Sequence, residues 1–268
     1  MKKINSSNKT AKALNLFARN AGKPELDLAI LAEGNAATFD QKNNRFLVKA
    51  SGVFMSNCKD SDWVWLDLFD CIEVIEQAHR GGITQKLIAR LNEILHAGKT
   101  ISGEKKKASI ETLVHAVAFK LLDATWSLHT HPTAVVSLAS NKNGAAYYEA
   151  SIFPDETVLC GPKPLFLPFA EPGLDLGLGF YRGIKKFQSQ NGYNPGQIIL
   201  GNHGLCTAGK GAEETFAMTL MSVKAARVRI NSLSTGGKLN FISNQMANQI
   251  AFRPDEVARR AKLVNENK

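Results

Sequence analysis

The sequence predicts a single α/β domain, and three observations carry that expectation. Apolar residues recur at helical spacing in some stretches and in short strand-like runs in others, and the two kinds alternate along the chain. No internal repeat, low-complexity tract or Pro-rich linker divides the 268 residues into two units. A composition of 44% hydrophobic and 21% charged residues excludes collagen-like, coiled-coil and disordered chains. A chain of this length buries a substantial core without cross-links.

The elements are read in order. Ala13, Leu14, Leu16, Phe17 and Ala21 fall largely on one helical face, which predicts a first helix; a basic transit peptide is the weaker reading of this acid-poor start. Two apolar runs on either side of Asp40–Asn44 spell a β-hairpin, with Gly34 and Gly52 at its ends. The stretch WVWLDLFDCIEVIEQA starts as a strand and turns helical, and Leu87, Ile88, Leu91 and Leu95 stripe the next helix. Ser109 is placed as an N-cap with Glu111 in the first turn of a further helix. A strand carrying His129 and His131 ends at Pro132, which suits the first turn of another helix. Residues 151–169, rich in proline, read as short strands and loops, and LDLGLGFYRGIKKFQ reads as a helix that tolerates three glycines. A buried strand then enters the Gly-bracketed loop holding His203. The last strong helix has Phe216, Leu220, Val223 and Val228 near helical spacing, and a basic tail follows it.

Cys58, Cys71, Cys160 and Cys206 lie far apart with no C-x-x-C pair, so zinc ribbons and thioredoxin-like motifs are absent and a reducing cytoplasm is the expected location. No apolar run approaches membrane-spanning length. The formal net charge of +9 would suit an anionic substrate, nucleic acid or a membrane surface. Aromatics are scattered and no nucleic-acid motif or P-loop occurs, so neither nucleic acid nor membrane is expected as a partner.

The histidines carry the chemistry. His-x-His on a strand puts both imidazoles on one face, a common way to offer a metal two nitrogens. His203, after an apolar strand and between glycines, can bring a third. Three nitrogen donors with an open position describe a catalytic rather than a structural metal site. Taken alone, Glu111 would more often be a solvated acid favoured by the helix dipole.

The order G-N, K-A-S-G, S-I-E-x-x-x-H, H-T-H-P, N-H-G-L resembles the class II aldolase/adducin superfamily, and within it the aldolase part of bifunctional rhamnulose-phosphate aldolase/dehydrogenases. The resemblance is clear over about residues 14–229, with a basic extension over about 232–268. It implies one class II aldolase-like domain whose central, mainly antiparallel sheet is covered by helices. It implies that His129, His131 and His203 hold Zn²⁺ or another divalent metal and that Glu111 moves the proton. It also implies aldol cleavage or formation through a metal-stabilised enediolate. His115 is either a partner to this site or a satisfied core histidine.

By the same resemblance Gly34, Asn35, Ser51, Gly52 and Ser109 receive the substrate or its phosphate. Ala36, Ala37 and Ile110 stand where relatives often have other residues, which weakens a phosphate cradle. Lys49 and the run Lys105–Lys107 could restore positive potential, although such a run is more often simply solvated. The expected partner is a small, anionic, carbohydrate-like substrate. The expected assembly is a homo-oligomer, in relatives commonly a cyclic tetramer, with a tyrosine from a neighbouring subunit completing the site. Tyr147, Tyr148, Tyr181 and Tyr193 are all candidates for it. Decarboxylation, dehydration and epimerisation at the same metal, and a non-catalytic adducin-like assembly role, are the alternatives.

Overall fold

The computed structural model describes residues 2–265. The hairpin forms as read: β1 (Asn35–Asp40) and β2 (Arg45–Lys49) pair antiparallel, and Asp40 accepts from the Asn43 amide in the connecting turn. Strand β3 (Trp63–Asp67) runs into α2 (Leu68–Gly81), where Asp67 accepts from the amides of Phe69 and Asp70 and so caps the helix. Helix α1 (Lys2–Ala21) precedes them; α3 (Gln85–His96) and the short β4 (Lys99–Thr100) follow. Next come α4 (Thr112–Leu121), β5 (Trp126–Thr130), α5 (Thr133–Ala139) and α6 (Pro154–Cys160). The chain continues through β6 (Leu165–Leu167), α7 (Leu174–Asn191), β7 (Ile198–Leu200) and β8 (Gly204–Gly209). It ends in α8 (Ala212–Ser234), α9 (Asn244–Ala251) and α10 (Pro254–Asn265).

The strands form one sheet in the order β4-β3-β2-β1-β5-β8-β7-β6, and β6–β7 is the parallel pair in an otherwise antiparallel ladder. Both faces are covered. Successive residues point to opposite faces, so Phe46 and Val48 enter one core while Leu47 enters the other, and Ile198 and Leu200 are likewise separated from Ile199. Helices α2, α3, α4 and α7 pack over the first face; α1, α5 and α8 pack over the second. Burial on both sides explains why these strands are continuous apolar runs.

The structure corrects several readings. Leu16 is exposed, outside the buried face of α1 formed by Ala11, Leu14, Phe17, Ala18 and Ala21. Helix α4 begins one residue after Glu111, which occupies its N-cap position, and the Ser109 hydroxyl accepts from the Glu111 amide at 3.3 Å. Pro132 is the N-cap of α5 rather than part of its first turn, and His131 lies just past the end of β5. The segment read as strands and loops contains α6, with Pro154 at its first position and Asp155 and Glu156 in its first turn. In α8 Leu220 and Val228 are exposed; the buried face is Thr215, Met218, Thr219, Ser222, Val223, Ala225, Ala226 and Arg229. The basic tail is folded back: Ile242 donates its amide to Ser151, and Arg260 donates to the carbonyls of Val158 and Ala251.

Candidate metal centre

Four side chains converge at one end of the central strands. Glu111, His129, His131 and His203 each bring a donor atom into a group whose members all lie within 4.8 Å of one another. Each arrives from a different piece of backbone. His129 comes from β5, and Asn35 of β1 lies opposite it in the ladder. His131 follows the strand and is held by its own amide, which donates to Leu28 O at 2.8 Å.

His203 sits in the β7–β8 turn, where Asn202 adopts a left-handed φ of 54° and donates its amide to Ala139 O. The turn needs Gly204, since a Cβ there would lie 2.4 Å from Thr130 O. Gly34 is equally constrained. Its φ is +66°, and a Cβ would meet His129 O at 2.7 Å.

The ring centroids of the three histidines stand 4.7, 4.9 and 5.0 Å apart, a nearly equilateral triangle. His129 Nδ1 faces Leu205 O at 3.0 Å and donates to it, which turns Nε2 inward. That Nε2 is 2.9 Å from His131 Nε2 and 3.4 Å from Glu111 Oε1, and His203 Nε2 is 2.8 Å from the same carboxylate oxygen. Nitrogens bound tetrahedrally to zinc at 2.0–2.1 Å stand roughly 3.3 Å apart, so a divalent cation fits this donor set with small adjustments. Three imidazole nitrogens and a carboxylate turned on one point call for a cation between them: burial lowers His129, yet the neighbouring Cys206 and Glu111 raise it well above its ordinary value.

Electrostatics agree. Burial pushes the imidazoles of His131 and His115 down to about 3, keeping both neutral. Burial opposes the charge on Glu111, but the neighbouring His129 and His203 outweigh it and hold the carboxyl well below the usual carboxylate range. The side chain of His129 is fully buried, whereas that of His131 is 21% exposed, so the centre opens on the His131 side.

The residues expected to receive substrate fare differently. Asn35 Nδ2 donates to Glu111 Oε2 at 2.7 Å, so it orients the carboxylate, and its buried Oδ1 is left without a partner. Ser109 holds the backbone that presents Glu111. Ser51 and Gly52 form the exposed turn after β2, and Gly52 has a φ of +77° with open space around it. Ala36 and Ala37 are fully buried strand residues whose methyls enter the two cores. A hydroxyl at either position would reach the core, so these alanines say little about phosphate.

Lys49 is 2% exposed, and of the lysine run Lys106 is committed to Ser61 O and Asp62. Tyr148 and Tyr181 are buried, Tyr193 packs between Phe187 and Phe252, and Tyr147 is half-buried. His115 is fully buried, with Nδ1 2.9 Å from Ser127 Oγ and Nε2 unpartnered.

Sequence reading missed Cys206, whose Sγ lies 3.3 Å from His129 Nδ1, and the Leu205 carbonyl that sets the tautomer. Their signal was the β5–β8 pairing, which places Cys206 opposite His129 and is not visible in a single sequence. A cavity of about 540 Å³ between β6 and α7, walled by Phe166, Phe180 and Phe187, contains none of the four donors.

A helix-covered, mainly antiparallel sheet with a His₃Glu cluster at one end of its central strands defines a class II aldolase-like protein. The family model described as Class II Aldolase and Adducin N-terminal domain matches residues 20–230, and the chain belongs to that family. It is similar in fold to L-fuculose 1-phosphate aldolase from Glaciozyma antarctica PI12, with a TM-score of 0.62 and 15% identity over 98% of this chain and 90% of that one. It is also similar to YgbL from Klebsiella pneumoniae, provisionally described as an aldolase/epimerase/decarboxylase, with a TM-score of 0.65 and 12% identity over 91% and 98%. In sequence it is 25% identical, over 69% of its length, to the uncharacterised oxidoreductase YuxG of Bacillus subtilis strain 168. The chain spans 23% of that relative's length. No helix among the described residues is long and apolar enough to cross a membrane.

Proposed function

We propose that the protein is a zinc-dependent lyase that makes or breaks a C–C bond of a sugar phosphate or related hydroxy-keto compound. The observation that supports this most is the convergence of three imidazoles and one carboxylate on a single point. His129, His131 and His203 would hold the metal. Held there, zinc would supply Lewis acidity toward a carbonyl or hydroxyl oxygen of the substrate and so stabilise the negative charge that cleavage leaves.

The rest is the work of this chain's own residues. In the cleavage direction the hydroxyl beside the scissile bond loses its proton, the C–C bond breaks, and an aldehyde departs. The fragment left behind then takes up a solvent-derived proton on carbon. Glu111 is the group placed to move that proton, with Oε2 fixed by Asn35 and Oε1 facing the histidines. The hydroxyl proton is assigned to a tyrosine of a neighbouring copy in a homo-oligomer, commonly a tetramer in this family. Burial of Tyr148 and Tyr181 leaves the half-buried Tyr147 and Tyr193 for that role.

The test is a panel of ketose 1-phosphates, aldonate-derived keto acids and their unphosphorylated forms, run on metal-stripped and zinc-restored protein. Aldehyde release is expected with zinc restored and is lost on stripping. Glu111→Gln should keep zinc and lower turnover by about 10²–10⁴-fold. Turnover indifferent to chelation, or an unimpaired Glu111→Gln variant, contradicts the proposal. Release of CO₂ or an epimer in place of aldehyde assigns the centre to a different reaction.

A further inference from the structure

Lys49 closes β2 with a buried ammonium that no carboxylate pairs with among the described residues. The other fully buried cation, Arg229, has Glu156 at 2.9 Å. Lys49 Nζ instead donates to two main-chain carbonyls, Ala32 O at 2.9 Å and Val53 O at 2.5 Å. Ala32 belongs to the loop that delivers Gly34 and Asn35, and Val53 follows the Ser51–Gly52 turn. One side chain therefore ties the loop that brings Asn35 to Glu111 to the turn after β2.

An ammonium has three N–H groups, and two are spent on these carbonyls. Burying a cation against neutral partners is costly, and a methionine of similar length would fill the volume without that cost. A purely structural tie has no use for the charge. Burial lowers the pKa of Lys49, and the neighbouring Cys58 and Glu111 work against that by favouring the charged form.

We propose that Lys49 is a positioning residue: it staples the Gly34–Asn35 loop to the Ser51–Gly52 turn and holds a fixed positive charge that draws an anionic substrate to the centre. The charge half rests on the reading that these two segments receive the substrate. The staple half does not.

Hydrogen exchange read by mass spectrometry on zinc-loaded, full-length protein tests both. In Lys49→Met the peptides spanning 31–36 and 51–57 should exchange about ten-fold faster than in the wild type, with α8 unchanged and zinc content intact. Lys49→Arg should restore most of the protection. Inorganic phosphate should slow exchange of the same peptides in the wild type and leave Lys49→Met unaffected. On any substrate the panel yields, Lys49→Met should raise KM about ten-fold while kcat changes less.

Unchanged exchange in both peptides overturns the staple. Phosphate acting equally on both proteins, or on neither, overturns the charge. A fall in kcat at constant KM overturns the positioning role. Should Lys49→Met fail to fold, the wild type decides, because 31–36 and 51–57 exchanging as fast as the open 237–241 linker contradicts the staple. A panel without turnover would sink the lyase reading and leave the exchange result standing.

Discussion

At Glu111, His115, His129 and His131, burial and neighbouring charge work against each other, and the balance shifts each group's protonation. His115 and His131 show it most simply, since burial dominates in both and pushes them from the ordinary 6.5 down to about 3. The folded pKa lies below the unfolded one, so between those values the unfolded chain binds more protons. The stability present above pH 6.5 is therefore lost as pH falls toward 3, by about 1.4 kcal/mol per pH unit for each histidine. Urea denaturation of metal-stripped protein should show the midpoint dropping steadily below about pH 6, and a level midpoint would contradict neutral imidazoles. The residue types were legible: H-x-H, N-H-G and the glutamate stand out as metal and acid-base chemistry once seen together. The contact by which Asn35 orients Glu111 was not, because it joins residues 76 positions apart.

The elements that position these side chains were legible where periodicity reports burial. The hairpin, α2, α3 and α7 follow from alternation or apolar stripes. Helix α6 was not, because proline at N1 and acids in the first turn are helix-start signals that the surrounding prolines disguise as a loop. The buried face of α8 was also hidden: Thr215, Thr219, Ser222, Ala225 and Ala226 let it lie close to the sheet, and an apolar stripe does not mark such residues. The loop into β1 makes the sharpest prediction at this scale. Gly34→Ala adds a Cβ at a left-handed φ, against His129 O and Met55 Cε. It should cost about 1–3 kcal/mol in denaturant unfolding and weaken zinc retention through the displaced His129 backbone. A variant as stable as the wild type would contradict the strained fit.

Across the whole molecule, one buried ion pair joins parts that the sheet does not. Arg229 of α8 meets Glu156 of α6, and its guanidinium also donates to Tyr147 O at 2.7 Å and Ala150 O at 2.9 Å. Gln197, just before β7, donates to the same Glu156 oxygen. Arg229→Met alone strands a buried carboxylate and should cost about 3–5 kcal/mol, whereas Arg229→Met with Glu156→Leu should cost less than the single change. Urea midpoints compare the two, and a double variant less stable than the single would contradict the account. Neither partner was legible from sequence, because a buried charge looks like a surface one until its neighbours are known. The +9 charge is the other molecular property, and Lys49 is where the structure brings part of it beside the candidate centre.

A single divalent metal held among Glu111, His129, His131 and His203 would make zinc content depend on each imidazole. Zinc per chain, measured by elemental analysis on purified wild type and His129→Ala, tests it most directly. The account predicts about one zinc per wild-type chain and well below one in the variant, with both folded by circular dichroism. Full zinc occupancy in His129→Ala, or none in a zinc-supplemented wild type, would contradict it.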